Sequence, residues 1–122
     1  MPETQNNSHI NLSIFNTMRA AMGDIFNEIL AAFFNQSRMY MDELKVAYEE
    51  KNYPVLERIF HSLGSSSLNM GAEQLSGLAR DLEKKTIKDV CLITFDDIDA
   101  LQVEYFLVEK VLNDLMSDEK SL

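Results

Sequence analysis

Residues 55–72, VLERIFHSLGSSSLNMGA, carry the pattern on which the fold turns. At roughly 100° per residue of α-helix, Val55, Leu56, Ile59, Phe60 and Leu63 fall within an arc of about 140°, a stripe that must be buried. His61 lies almost diametrically opposite and should face outward. Three, four and seven residues further on, the same outer face carries Gly64, Ser65 and Leu68 instead of the Lys, Glu or Gln of a solvated helix. Glycine costs a helix about 1 kcal/mol relative to alanine and serine adds to the loss, so something other than helix stability chose the run Gly64 to Ser67. Small residues around an outward imidazole leave room for a partner, and a convex helix surface suits a protein better than a small substrate.

Working outward, two prolines and four glycines punctuate the chain, and apolar residues recur at intervals of three and four, so nearly all of it should be helical. A polar tail, residues 1–10, precedes a first helix from about Ser13 to Met22 that Gly23 ends. A long helix from about Asp24 to Glu50 follows, with Phe26, Ile29, Phe33, Tyr40, Leu44 and Ala47 on one face. Pro54 suits the first turn of the His61 helix, and Asn69 with Gly71 supplies its stop. A helix from about Ala72 to Ile87 comes after so short a turn that it must neighbour the His61 helix, with Leu75, Leu78, Ala79 and Leu82 as its stripe. Lys88 to Ile93 reads as a loop, and Thr94 with Asp96 and Asp97 as a helix start. Ile98, Leu101, Tyr105, Val108, Leu112 and Leu115 then alternate steps of three and four as a bundle seam does. The expectation is an all-α chain: an antiparallel up-and-down four-helix bundle over residues 11–118, with the short N-terminal helix packed across one end.

Composition narrows the function. A length of 122 residues fits one domain, and 46% hydrophobic with 25% charged residues is ordinary for a soluble globule. Eleven Lys and Arg against 20 Asp and Glu give a net charge of −9, which argues against nucleic acid or anionic membrane as a partner. The longest apolar run, Ile29 to Phe34, is too short to span a bilayer, and Met1 to Ser8 holds no signal-peptide core, so a cytoplasmic protein is expected. One cysteine, Cys91, reads as a small apolar residue of a connection, and with only His9 and His61 there is no zinc set.

The same residues exclude most site chemistry. A dinuclear metal centre in a bundle needs paired Glu-x-x-His motifs, whereas Glu57 and His61 are one residue too far apart. Serines 62 to 67 cannot all face one imidazole, against a Ser-His hydrolase. Met18, Met22, Met39, Met41 and Met70 could line an adaptable groove, although core filling is the commoner use, and Asp81 to Lys85 reads as a solvated face. What suits an exposed, uncrowded histidine is nucleophilic attack on an acyl phosphate, a transfer governed by positioning and charge that a partner's metal ion can assist.

His61-Ser62-Leu63-Gly64-Ser65-Ser66-Ser67-Leu68-Asn69-Met70-Gly71-Ala72, followed by Leu75, Leu78 and Leu82-Glu83, resembles the histidine-containing phosphotransfer (HPt) pattern His-x-Leu-Lys-Gly-Ser-(x4)-Gly-Ala-(x2)-Leu-(x6)-Leu-Glu. The likeness covers most of the chain, and the spacing from His61 to Gly71-Ala72 is its specific part. It implies a four-helix bundle whose central hairpin displays His61, which accepts phosphate from one receiver-domain aspartate and returns it to another. It also implies receiver domains or a hybrid histidine kinase as partners of a monomer. No cofactor is expected on this chain, and Mg2+ is expected on the partner receiver. Glu83 falls where some members place a glutamine beside the imidazole, and Leu68 belongs to the docking face. Two positions depart: the family's lysine is Gly64 here, and its glycine is Ser65. Arg58 or Arg80 could restore the missing charge. The competing reading is an adaptor that docks on a receiver or kinase through the same face without carrying phosphate.

Overall fold

Five α-helices follow one another in the computed structural model, which describes residues 9–88 and 92–121. They are α1 (Leu12–Met22), α2 (Phe26–Glu49), α3 (Tyr53–Asn69), α4 (Glu73–Lys88) and α5 (Phe95–Ser121), with one 3-10 turn, Gly23–Ile25, between α1 and α2. The expected breaks at Gly23, Pro54 and Gly71 all occur, and the helix start expected at Thr94 is capped on both sides. Thr94 Oγ1 accepts from the Asp97 N–H at 3.1 Å, and Asp97 Oδ2 accepts from the Thr94 N–H at 3.0 Å. The one-residue shifts at other helix ends are within normal fraying. Tail residues Met1 to Ser8 and Cys91 lie outside the described residues.

The stripes read from the sequence form one core. Leu56, Ile59, Phe60 and Leu63 of α3, Leu75 and Ala79 of α4, and Ile98, Leu101, Tyr105, Val108 and Leu112 of α5 are all fully buried. Phe26, Phe33, Tyr40, Leu44 and Ala47 close the core from α2. Two polar residues of α5 are buried as well, which periodicity did not anticipate. Gln102 donates to the Met41 carbonyl at 2.8 Å, and Glu104 accepts from His9 Nδ1 at 2.8 Å and Gln74 Nε2 at 3.2 Å. Their partners lie 61, 95 and 30 residues away, so only the folded chain satisfies them.

Lys85, inside the charge run 81–85, reaches Asp97 of α5 at 3.3 Å, and Glu83 of the same run turns inward, so that run is more than a solvated face. At the α2–α5 seam, Glu109 accepts from Arg38 Nε at 3.1 Å and a terminal Arg38 nitrogen at 2.7 Å, and from the Tyr105 hydroxyl. The Arg38 hydrogen bonds hold the Glu109 carboxyl below the usual range, and burial together with that carboxylate pushes the Tyr105 phenol up.

Both connections within the α2–α3–α4 run close with the same hydrogen-bonded turn. After α2, the Lys51 N–H donates to Tyr48 O at 3.2 Å and the Asn52 N–H to Ala47 O at 2.8 Å; after α3, the Gly71 N–H donates to Leu68 O at 3.0 Å and the Ala72 N–H to Ser67 O at 2.9 Å. The central residue is left-handed in each, with φ +57° at Lys51 and +86° at Gly71. Gly71 has a second constraint. Its carbonyl accepts from the Asn11 N–H at 2.7 Å, and a Cβ added there would stand 2.6 Å from the Asn11 carbonyl oxygen. Asn11 in turn caps α1, accepting from the Ser13 and Ile14 N–H groups, and donates to Glu73 at 3.1 Å. The first helix is thus fastened to the α3–α4 turn.

Two outcomes follow from this fold. Lys51→Gly should raise stability by about 0.5–1 kcal/mol by relieving a left-handed β-carbon, whereas Gly71→Ala should lower it by about 2 kcal/mol or more, since strain and a backbone collision add. Urea midpoints of the two variants moving in the same direction would contradict it. For Glu109 the folded-state pKa is depressed, so its stabilisation is complete above the unfolded carboxylate range and fades as pH falls through the lower folded value. Glu109→Gln should therefore cost about 1–2 kcal/mol at pH 7, and the gap from wild type should close as unfolding is measured from about pH 5 downward. A gap that stays constant over that range would show the ion pair contributes nothing.

Candidate functional site

The hairpin of α3 and α4 positions every residue the sequence marked near His61. Asn52 caps α3 by accepting from the Val55 N–H, with Pro54 in the first turn, which fixes where the α3 stripe begins and hence which way His61 points. The imidazole is 71% exposed. Across the hairpin, position 61 meets position 83 and position 64 meets position 80.

His61 Nδ1 lies 2.8 Å from Glu83 Oε2, and the Glu83 side chain is only 19% exposed. A carboxylate can only accept, so Nδ1 carries the hydrogen, and in the neutral imidazole the lone pair is then on Nε2. The outward nitrogen is therefore the nucleophilic one. Glu83 holds the ring orientation and faces the atom on which positive charge would gather when Nε2 forms a bond, the role an aspartate plays beside a catalytic histidine.

Gly64 is not where periodicity placed it. It is buried, as is Ser67, while Ser66 is half-buried and Ser65 and Leu68 are exposed. The small residues of 64–67 therefore serve two purposes: Gly64 and Ser67 let α4 come close, and only Ser65 keeps its own helix face open. The agent of that approach is Ser76, which sequence reasoning missed. Its buried hydroxyl donates to the Gly64 carbonyl at 2.7 Å and accepts from Arg80 Nε at 3.3 Å. The only advance signal was a serine beside Leu75 on a stripe otherwise apolar. The Ser67 hydroxyl is buried with no hydrogen-bond partner among the described residues.

The two candidate arginines part company. Arg58 reaches Glu43 of α2 at 3.6 Å, whereas Arg80 lies along Gly64. Beyond Leu68, an apolar groove of about 440 Å3 runs between α1, α2 and α3, lined by Met18, Met22, Phe33, Tyr40, Ser66 and Met70 among others. Met18 and Met22 also flank Leu68 itself. Three of the five methionines singled out thus line a groove, while Met41 fills the core and Met39 is exposed. Among the described residues no three His, Cys, Asp or Glu side chains gather as a metal set, and no helix is long and apolar enough to cross a membrane.

No curated protein matches the chain in sequence. Its fold is similar to that of histidine-containing phosphotransfer protein B from Pseudomonas aeruginosa PAO1, with a TM-score of 0.86 over 93% of this chain and 98% of that one, at 20% identity. The sequence pattern of the Hpt domain matches residues 28–115, which holds α3, α4, His61 and Glu83. With well over half its length inside that match, the chain belongs to the Hpt domain family, the histidine phosphotransfer proteins of two-component signalling.

Proposed function

We propose that this chain relays a phosphoryl group between receiver-domain aspartates through His61, as a phosphocarrier with no turnover of its own. The observation that carries the reading is the 2.8 Å contact of His61 Nδ1 with Glu83 on an imidazole otherwise open to solvent. The Nε2 lone pair attacks the phosphorus of an aspartyl phosphate. The P–N bond forms as the P–O bond breaks, and the bonding pair leaves on the aspartate oxygen. The ring becomes a phosphoimidazolium whose Nδ1–H faces the Glu83 carboxylate, and the reverse sequence delivers the group to a second aspartate. Mg2+ held by the receiver supplies the metal assistance, and no cofactor is assigned to this chain.

In this reading residues 11–118 form the domain, with Ile10 buried in its core and His9 bonded to Glu104 just ahead of it, α2 to α5 as an antiparallel up-and-down bundle and α1 as a short additional helix across one end. Arg38 with Glu109 and Gln102 with Met41 support that course for α2 and α5. The chain works as a monomer in the cytoplasm. Its partner, a response-regulator receiver or the receiver of a hybrid kinase, docks over Ser65 and Leu68 toward the methionine groove, where side chains of Met18 and Met22 can adapt to an apolar surface.

Two experiments test this. After incubation with phosphorylated receiver domains, wild type should carry acid-labile, base-stable phosphate and His61→Gln none, with unfolding free energy changed by less than about 0.5 kcal/mol, because an outward ring contributes little packing. Label persisting on His61→Gln would refute the assignment, and receiver binding without any label on wild type would favour the adaptor. Leu68→Glu should weaken receiver binding by more than about 1 kcal/mol through lost apolar burial. Unchanged affinity in a titration would put the docking face elsewhere.

A further inference from the structure

The residue in the family's lysine position is Gly64, and the structure shows what occupies the space a side chain would take there. A Cβ built on Gly64 would stand 3.2 Å from Arg80 Cγ and 3.7 Å from Arg80 Nε. The Arg80 stem therefore lies where the stem of a lysine at 64 would begin. It arrives from the opposite helix and is held there, since Nε donates to Ser76 Oγ at 3.3 Å and the Ser76 hydroxyl donates to Gly64 O at 2.7 Å. We infer that Arg80 is the phosphoryl-binding cation of this site, a charge moved from α3 to α4 and admitted by the glycine at 64. The inference rests on His61 being the phosphoacceptor.

Three observations separate Arg80 from the alternatives. The charge of Arg58 is already opposed by Glu43 at 3.6 Å, and that of Arg38 by Glu109 at 2.7 Å. Arg80 makes no ion pair with a carboxylate among the described residues, so its charge is free to meet an anion. It also stands three residues, about 4.5 Å of helical rise, before Glu83, the residue touching His61, as Gly64 stands three residues after His61. A phosphoryl group arriving at the outward Nε2 thus meets a carboxylate behind the ring, with the Arg80 side chain three residues along the hairpin, against Gly64 and within reach of a group bound there. That division matters in a chain of net charge −9, where an incoming dianion would otherwise meet mostly repulsion. Guanidinium also suits the group, because its planar fork can hold two phosphoryl oxygens at once while Nε keeps its hydrogen bond to Ser76. In the transfer Arg80 gains and loses no bond. It offsets the charge on the phosphoryl oxygens while the phosphorus passes from aspartate oxygen to His61 Nε2.

The test is a charge-relocation cycle, read as the rate of label transfer from a phosphorylated receiver domain to the intact protein. Arg80→Ala should slow transfer about five- to tenfold with an unchanged melting temperature, and should flatten the fall of rate with added salt. Gly64→Lys in the Arg80→Ala background, where the stem no longer blocks the site, should restore most of the rate. In the presence of Arg80 the same substitution should add little, since both side chains compete for one place. Arg80→Lys, which leaves Gly64 untouched, should keep at least half the rate and serves as the check should the double variant fold poorly. Arg80→Ala transferring as fast as wild type overturns the inference. So does a folded double variant, or Arg80→Lys, as slow as Arg80→Ala, because the loss would then not be one of charge. A wild-type protein that takes no label at all overturns instead the reading of His61, and this inference with it.

Discussion

The close approach of α3 and α4 is the constraint on which the site depends. A buried serine hydroxyl on α4 rests on a helix carbonyl of α3, Ser76 on Gly64, and that contact is possible because neither Gly64 nor its neighbours Ser67, Ala72 and Ala79 carry bulk. Helix axes pack about 8–10 Å apart according to the side chains between them, and small residues bring them to the near end of that range. The register this sets is what places Glu83 against His61 and Arg80 across Gly64. Roughly 1 kcal/mol of helix propensity lost at Gly64 is offset by burial along the hairpin and by an added hydrogen bond.

The site is polarised around the imidazole. One ring nitrogen faces a largely buried carboxylate, which selects the tautomer, and the other is turned toward solvent. Exposure alone would not give this. An imidazole that turned freely would present either nitrogen, and part of the transfer barrier would be spent on orienting it.

Sequence alone exposed the parts of the fold governed by local chemistry. The α5 seam from Ile98 to Leu112, the α2 face from Phe26 to Ala47 and the stops at Gly23 and Gly71 were all legible, because periodicity and backbone conformation act over a few residues. The outward turn of His61 was legible for the same reason, and the family resemblance added Glu83. What escaped was set by distant partners. Gly64 sits on the polar side of its helix by angle, yet α4 covers it. Gln102 and Glu104 look like surface residues until Met41, Gln74 and His9 are brought to them. Conversely, Val103, Phe106 and Leu107 of α5 are apolar and exposed, since the buried arc of that helix is already filled. A single helix read in isolation cannot say which neighbour will cover its margins.

The fastening of Asn11 to Gly71 has a kinetic meaning. The α1 cap residue finds its backbone acceptor 60 residues along the chain, on the carbonyl of a turn that exists only once α3 has ended and α4 has begun. A helix of 11 residues is marginal on its own, so α1 gains its support late. The hairpin, by contrast, joins neighbours through a turn of three residues and closes a short loop at small entropic cost. Assembly therefore has a natural order, with the histidine-bearing hairpin as an early local unit and α1 added once there is a turn to receive it. Met18 and Met22, the groove-lining residues that α1 supplies, therefore depend on that long-range contact for their place.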